Sequence, residues 1–469
     1  MVGTGRLYYV VCLTICHILL ARSMGPETYG SFQRVWLFSG IFLFFLFGIP
    51  ESIYYLLPRI PKQNTGALIT GSAFATFLLS LLLVVVLRVV APFLGRYFGD
   101  PSLPDNLSIF STYGALLVLT GFVDPVYIAF GRARYLFYIN VFHGFFLLAL
   151  AGFQYLRHSP LSVIFLQLAI FGILRLIACI LYLGMVPVPR GSWFRIEPAL
   201  LKRQLLYALP IGITAGMEVL SRWLDKMVVS VFFDRATLAV YAVGALEIPV
   251  VGIFLSSITT VVLPILNRLD HEGDVRGFTE LWRNVIRRTA SVIWPIFLWL
   301  ILLAKPLITT VFTDEYARAV PPFRVYLLML PLRVAIFSAV VYSLGRPSMV
   351  LLAAALTLAV NFVLSVILAL SVGYVGPAVA TTLSTYFHVG FLAWIIARTL
   401  ETKLIDLIPV RGLLPIAQTA LIAGIASLVI SILLSPGRIV VLVFSLITFA
   451  GVYIIVGRMR GIFSEQTPG

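Results

Sequence analysis

Apolar stretches of about twenty residues, each long enough to cross a bilayer as a helix, recur from one end of this chain to the other. Short polar or Gly/Pro-rich breaks separate them: Pro58–Thr65, Gly99–Asn106, Gly131–Arg134, Arg157–Pro160, Gly345–Ser348 and Ser435–Arg438. Of the 469 residues, 60% are apolar and 11% charged, whereas a soluble domain carries about 25% charged residues. A water-soluble globule of this size could not cover so much apolar surface. That excludes a soluble enzyme, a nucleic-acid binder and a disordered scaffold as readings of the whole chain. The sequence specifies an all-α polytopic membrane protein.

The pattern predicts about fourteen transmembrane helices, over residues 6–21, 30–57, 66–94, 107–130, 136–156, 161–187, 205–232, 239–266, 289–312, 323–344, 348–372, 375–397, 413–434 and 439–457. No room is left for a large soluble domain. Only five residues precede Arg6 and no A-x-A-like site ends the first apolar stretch, so that stretch reads as a retained first span.

The net charge of +15 is a matter of topology. Lys and Arg flank spanning helices on the cytoplasmic side. Alternate connections here are strongly basic: Arg190, Arg195, Lys202 and Arg203 in one, Arg268, Arg276, Arg283, Arg287 and Arg288 in the next, then Arg398, Lys403 and Arg411. Placing these inside puts both termini in the cytoplasm and the protein in the cytoplasmic membrane. Within the longest connection, Phe278, Leu281, Trp282, Val285 and Ile286 form one apolar helical face. The reading is an amphipathic helix on the inner leaflet, the alternative a plain extension of the ninth span.

The two halves echo each other. Tyr29 and Pro58 bound the second span as Tyr241 and Pro264 bound the eighth. A parallel repeat of six helices implies two bundles related by an axis along the membrane normal. The division is 1–187 for a first lobe, 188–204 for a cytoplasmic linker, 205–397 for a second lobe, and 398–469 for two further helices and a tail.

At these residues the sequence resembles a family. The run Leu20-Ala21-Arg22-Ser23-Met24-Gly25-Pro26-Glu27-Thr28-Tyr29-Gly30, then Gly48-Ile49-Pro50-Glu51-Ser52-Ile53 and Leu57-Pro58-Arg59, is similar to the start of Wzx-type oligosaccharide flippases. These are polysaccharide transporters of the MOP superfamily, related to MATE exporters and to the lipid II flippase. Further matches are Ala208-Leu209-Pro210, Arg222-Trp223-Leu224-Asp225-Lys226, Tyr316–Pro322 and Gly373–Thr381. The resemblance implies two pseudo-symmetric six-helix lobes, alternating access, and an undecaprenyl-pyrophosphate-linked oligosaccharide as cargo, with membrane lipids around it and a polysaccharide polymerase machinery as partner.

An ionisable side chain at a helix centre costs about 2.5–3.5 kcal/mol on insertion scales. Arg34, Arg88, Arg175, Arg222, Lys226 and Arg333 lie in spans, as do Glu51, Asp124, Glu218, Asp225 and Glu247. Most must face water or one another. Arg175 and Arg333 lack an acidic neighbour on their own helices, and a guanidinium binds pyrophosphate bidentately; with Arg222, Lys226, Arg34 and Arg88 they are the candidate substrate-binding cations. Arg34 and Arg88 also lie where side chains snorkel to an interface. Glu218, Arg222, Asp225 and Lys226 share a helix face, either as a self-neutralising ladder or as a charged cavity wall. Asp124 and Glu247 each sit beside a proline; with Glu218 and Asp225 they are candidates for Na⁺ or H⁺ coupling or for pairing with arginine.

His17, His143 and His388 read as packing residues, and Cys12, Cys16 and Cys179 as small buried hydrophobes. No metal or cofactor site is expected. No phosphate loop, H-E-x-x-H or nucleophile elbow occurs, so the chain reads as a transporter and not an enzyme. Two alternatives are a MATE-like cation-coupled multidrug exporter and a membrane-embedded glycan polymerase or ligase. The short outer loops weigh against the latter.

Overall fold

The computed structural model describes residues 2–189, 193–246, 248–433 and 438–463, leaving aside the side chains of 2, 249, 250, 404 and 405. Every regular element among them is a helix. The chain divides by packing into two compact units, residues 1–239 and 240–469.

The first unit holds α1 (Val2–Trp36), α2 (Ser39–Phe45), α3 (Ile49–Leu56), α4 (Thr65–Tyr97), α5 (Leu103–Thr120), α6 (Val123–Ala129), α7 (Ala133–Arg157), α8 (Leu161–Leu183) and α9 (Pro198–Phe232). The chain passes through α10 (Arg235–Gly244) into the second unit. This continues with α11 (Pro249–His271), α12 (Val275–Leu302), α13 (Ala304–Val311), α14 (Val320–Leu327), α15 (Leu330–Arg333) and α16 (Phe337–Ser343). It ends with α17 (Pro347–Val372), α18 (Gly376–Thr399), α19 (Leu404–Leu407), α20 (Val410–Leu433) and α21 (Arg438–Met459).

Thirteen segments among the described residues are long and apolar enough to cross a membrane. The first, Gly3–Arg59, runs 57 residues. At about 1.5 Å per residue that is more than twice a hydrocarbon core of ~30 Å. It breaks at Gly25 (φ 70°, ψ 169°), just ahead of Pro26, and so is long enough for two crossings, in keeping with the expected number of spans.

Lipid supplies no hydrophobic drive between helices, so close van der Waals fit must hold them. In the first unit Phe32, Phe110 and Phe165 are fully buried. Phe32 stacks on Phe165 at 5.7 Å, and Phe110 meets Phe165 edge-on at 5.3 Å. Gln204 on α9 donates to Ser52 Oγ at 3.0 Å and Ser72 Oγ at 2.7 Å, joining three helices through buried polar groups. Gly30 lies against the Arg235 carbonyl so closely that any Cβ would strike it. The seventh long helix, α9, packs on α2, α3 and α4 and so groups with the first unit.

The internal repeat is sharpest at two short helices. α6 and α16 are both seven residues long, and each residue of α16 lies 214 positions after its α6 counterpart. Each ends in the same turn. Arg132 N donates to Tyr127 O at 2.8 Å and Arg346 N to Val341 O at 3.2 Å. Gly131 (φ 70°) and Gly345 (φ 68°) hold the left-handed conformation that such a helix end requires. The same interval separates Asp100 from Asp314. Each accepts an arginine that is the first residue of a later helix: Arg235 to Asp100 at 3.5 Å, and Arg438 to Asp314 at 2.8 Å.

One expectation is corrected. Residues 275–288 do not form a separate helix lying on a leaflet. They are the first half of α12, continuous with the ninth span. Their apolar face is spent on protein: Phe278, Trp282 and Ile286 are almost fully buried. The Trp282 indole donates to the Ala335 carbonyl at 2.7 Å, which a lipid-facing tryptophan could not do.

Candidate functional site

The charges within the spans fall into distinct settings. Between α5 and α6 the helix is interrupted at Gly121–Phe122. This brings Thr120 and Asp124 to the side of Arg175 on α8. Arg175 Nη2 lies 3.3 Å from Asp124 Oδ1, and its Nε donates to Thr120 Oγ1 at 3.0 Å. The Arg175 side chain is 11% exposed and that of Asp124 31%. The anion that Arg175 needed from beyond its own helix is therefore present within the first unit. In a medium of low dielectric such a pair resists separation, because either partner left alone is an uncompensated charge.

Arg333 has a different setting. It ends the four-residue α15, and after it the chain leaves helical geometry. Ile336 adopts φ 41°, ψ 41°, a left-handed conformation strained for a β-branched residue. The break frees backbone carbonyls in the span. Two tryptophans of α12 meet them: Trp282 donates to Ala335 O, and Trp294 to Pro331 O at 3.5 Å. Irregular backbone at membrane depth is tolerated where protein or a wet cavity satisfies it. Arg333 itself is half-buried and has no ion pair or hydrogen bond among the described residues. Sequence alone did not point to these tryptophans, since an indole on an apolar helix face reads as packing.

On α9 the four charged residues do not act as one strip. Glu218 and Arg222 are exposed and make no ion pair with each other. Asp225 is 1% exposed and engaged in the interior. Lys226 is half-buried, its Nζ 5.2 Å from the centre of the Trp223 ring. Glu218 and Arg222 both lie near the middle of a span, where hydrocarbon would cost each of them about 2.5–3.5 kcal/mol.

Arg34 does not snorkel. It is 4% exposed, its guanidinium lies 4.2 Å over the Phe98 ring, and its Nε has no hydrogen-bond partner among the described residues. Arg88 is exposed on α4 amid exposed Val85, Val86, Val89 and Val90. Glu51 is exposed on α3. Glu247 lies outside the described residues. The three histidines bond within the protein: His17 to Tyr29 at 3.1 Å, His143 to Tyr113 at 3.3 Å and His388 to Thr357 at 3.0 Å. Among the described residues no three His, Cys, Asp or Glu side chains come together as a metal site.

Comparison with known proteins extends this picture. The family model described as lipid II flippase MurJ matches residues 54–448. A curated relative, the probable low-salt glycan biosynthesis flippase Agl15 of Haloferax volcanii, is 22% identical over 182 residues. That match covers 36% of this chain and 38% of the relative, so the chain spans well under half the length of the curated protein it matches. Among solved structures, a lipid II flippase MurJ in an inward closed conformation is similar with a TM-score of 0.79 and 17% identity, over 98% of both chains. An inward-facing MATE multidrug transporter of the MOP superfamily follows at a TM-score of 0.66 and 12% identity, over 85% of this chain and 96% of the other. At such identities the solved structures establish the fold alone.

Proposed function

The chain belongs to the MurJ family of lipid II flippases, and from that premise we propose that it carries a polyprenyl-pyrophosphate-linked glycan across the cytoplasmic membrane by alternating access. The family is one of transporters, not of catalytic enzymes. One observation carries the reading furthest. Arg333 is a cation inside a span, at a break in its helix, without a counter-charge among the described residues. A group so placed costs several kcal/mol unless an anion or water relieves it. A pyrophosphate is the anion that every lipid-linked glycan of this class shares, and a guanidinium holds it bidentately. The sugars then vary without changing the anchor.

Arg222, exposed on α9, adds a cation in the first unit, and the nearby Glu218 limits how firmly an anion is retained. Weak retention is needed for release on the far side. Arg175 contributes less, because Asp124 already occupies it. The orientation proposed is N- and C-termini in the cytoplasm, from the basic alternate connections. The two six-helix lobes of the repeat, 1–187 and 205–397, are proposed as the moving bodies, with α9 packed on helices of the first. Coupling to Na⁺ or H⁺ is assigned to the remaining carboxylates, Asp225 foremost because it is buried.

The Wzx-type resemblance and the glycan flippase named in Haloferax volcanii support an oligosaccharide as the cargo. The matched family model supports lipid II as the second reading. The MATE likeness is one of fold, and a drug exporter gains nothing further from it. Proteoliposomes carrying a fluorescent undecaprenyl-pyrophosphate oligosaccharide, or fluorescent lipid II, on one leaflet decide between the two. Translocation of the oligosaccharide in preference to lipid II is expected. Translocation of neither refutes the flippase reading.

A further inference from the structure

We propose that the diverging helices α11 and α12 form a loading seat for a polyprenyl-pyrophosphate lipid of the inner leaflet, holding its phosphate and first isoprenoid units before translocation. The proposal rests on the flippase reading and on the orientation given with it.

α11 and α12 are consecutive, antiparallel and joined by a tight turn, Glu272–Asp274, whose Asp274 carboxylate accepts the Gly277 N–H at 2.8 Å. Helices linked so closely ordinarily pack along their length, as α17 and α18 do across the Gly373 turn. α11 and α12 instead diverge, and a cavity of about 1030 Å³ opens between them. Phe254, Ile258, Val261 and Ile265 of α11 face Leu281 and Val285 of α12 across it. An apolar wedge of that size inside a bilayer fills with a chain, because an empty one forfeits the contacts of its whole lining.

The opening also has a polar edge. Glu280, Asn284 and Arg288 recur every fourth residue and so form a single ridge of α12 along the cavity. Thr289 is fully buried, lines the same space, and its Oγ1 has no hydrogen-bond partner among the described residues. Arg288 is exposed and forms no ion pair among those residues. It is also the last ionisable residue of α12; none follows until Lys305. Arg288 therefore marks the level where headgroups give way to hydrocarbon. Counting from the turn, Arg288 stands level with Ile258, and Phe254 lies about one helical turn deeper.

These placements select a ligand. A phosphate at Arg288 takes the exposed guanidinium fork. A single chain descends along Ile258 and Phe254. Towards the membrane surface, Asn284 and Glu280 offer an amide and a carboxylate to hydroxyl groups, which suits sugars. A glycerophospholipid has two chains for one interhelical groove and no sugar to meet the ridge.

The test uses the full-length protein with p-benzoylphenylalanine at Val261, in phosphatidylcholine nanodiscs, and radiolabelled undecaprenyl pyrophosphate as probe. Photo-crosslinking is expected, competed by unlabelled undecaprenyl pyrophosphate and not by phosphatidylglycerol. Arg288→Gln should lower the yield roughly tenfold, the loss of one charge-assisted phosphate contact, and Arg288→Lys should recover part of it. Ser257→Trp, which fills the cavity without touching the arginine, should lower it as well. No crosslink at Val261, equal competition by phosphatidylglycerol, or an unchanged yield in both Arg288→Gln and Ser257→Trp would overturn the seat. If the wild type still translocates lipid-linked glycan in any of those cases, the flippase reading survives. If the wild type translocates none, that reading fails whatever the crosslinking result.

Discussion

α6 and α16 are one structural unit used twice, and they differ in the charge each keeps beside its helix break. At the first break Asp124 faces Arg175, and the charges cancel within the first unit. At the second, Ser338 stands where Asp124 stands in the repeat, and Arg333 is left without a carboxylate among the described residues. The backbone is preserved while the electrostatics diverge. A neutralised break is a structural joint. A break with an uncancelled cation is, on the function proposed, the place where the cargo's anion binds. The pair separates what the fold needs from what the cargo needs, and four expected outcomes either break that contrast or sharpen it.

The largest effect is expected for Asp124→Ala, which strands Arg175 in a site where its side chain is 11% exposed. Loss of about 3 kcal/mol of stability should follow, with much of it recovered in the Asp124→Ala, Arg175→Leu double variant. Thermal unfolding in detergent reads both. A single variant as stable as the wild type would remove the joint from the first break.

Arg333→Ala should do the reverse: unfold within about 1 kcal/mol of the wild type, yet translocate lipid-linked glycan at least about tenfold more slowly. Arg333→Lys should restore only part, since an ammonium cannot clamp bidentately. Undiminished translocation by Arg333→Ala would make the second break structural as well.

A smaller change is expected for Trp282→Phe. It keeps the ring and removes the donor to the Ala335 carbonyl, at a cost of about 1 kcal/mol. Trp294→Phe, whose contact is 3.5 Å, should cost less. Equal losses would mean that ring packing, not carbonyl satisfaction, holds the break.

The smallest effect belongs to the other repeated pair. Arg438–Asp314 is exposed on both sides, so Arg438→Ala should shift stability by no more than about 0.5 kcal/mol. Asp100 is buried, so Asp100→Ala should cost more than its counterpart, Asp314→Ala. Chemical unfolding of the two variants side by side checks the order.

Much of this was readable in one dimension. Span number and helical class follow from apolar length, because a bilayer leaves a long apolar segment no other means of satisfying its backbone. The resemblance named Wzx-type flippases, with the lipid II flippase among their relatives, and the family model that matches is that of the lipid II flippase. Arg175 and Arg333 looked alike in sequence because each lacks a same-helix carboxylate. Only the break at Gly121–Phe122 brings Asp124 to one of them.

The sequence by itself determined that this protein lies in a membrane, that it is helical, and that it carries charges it cannot leave in lipid. These are properties of local composition, which a bilayer tests one segment at a time. The tertiary structure decided which charges cancel, that Arg34 is buried against Phe98, that Trp282 on the apolar face of residues 275–288 meets the break in the tenth span, and that α11 and α12 stand apart. Each of these depends on contacts between residues far apart in the chain. The pairing energy of a charge or an indole N–H is set by the partner at a few ångströms, and periodicity along one helix says nothing about what the next helix will present there.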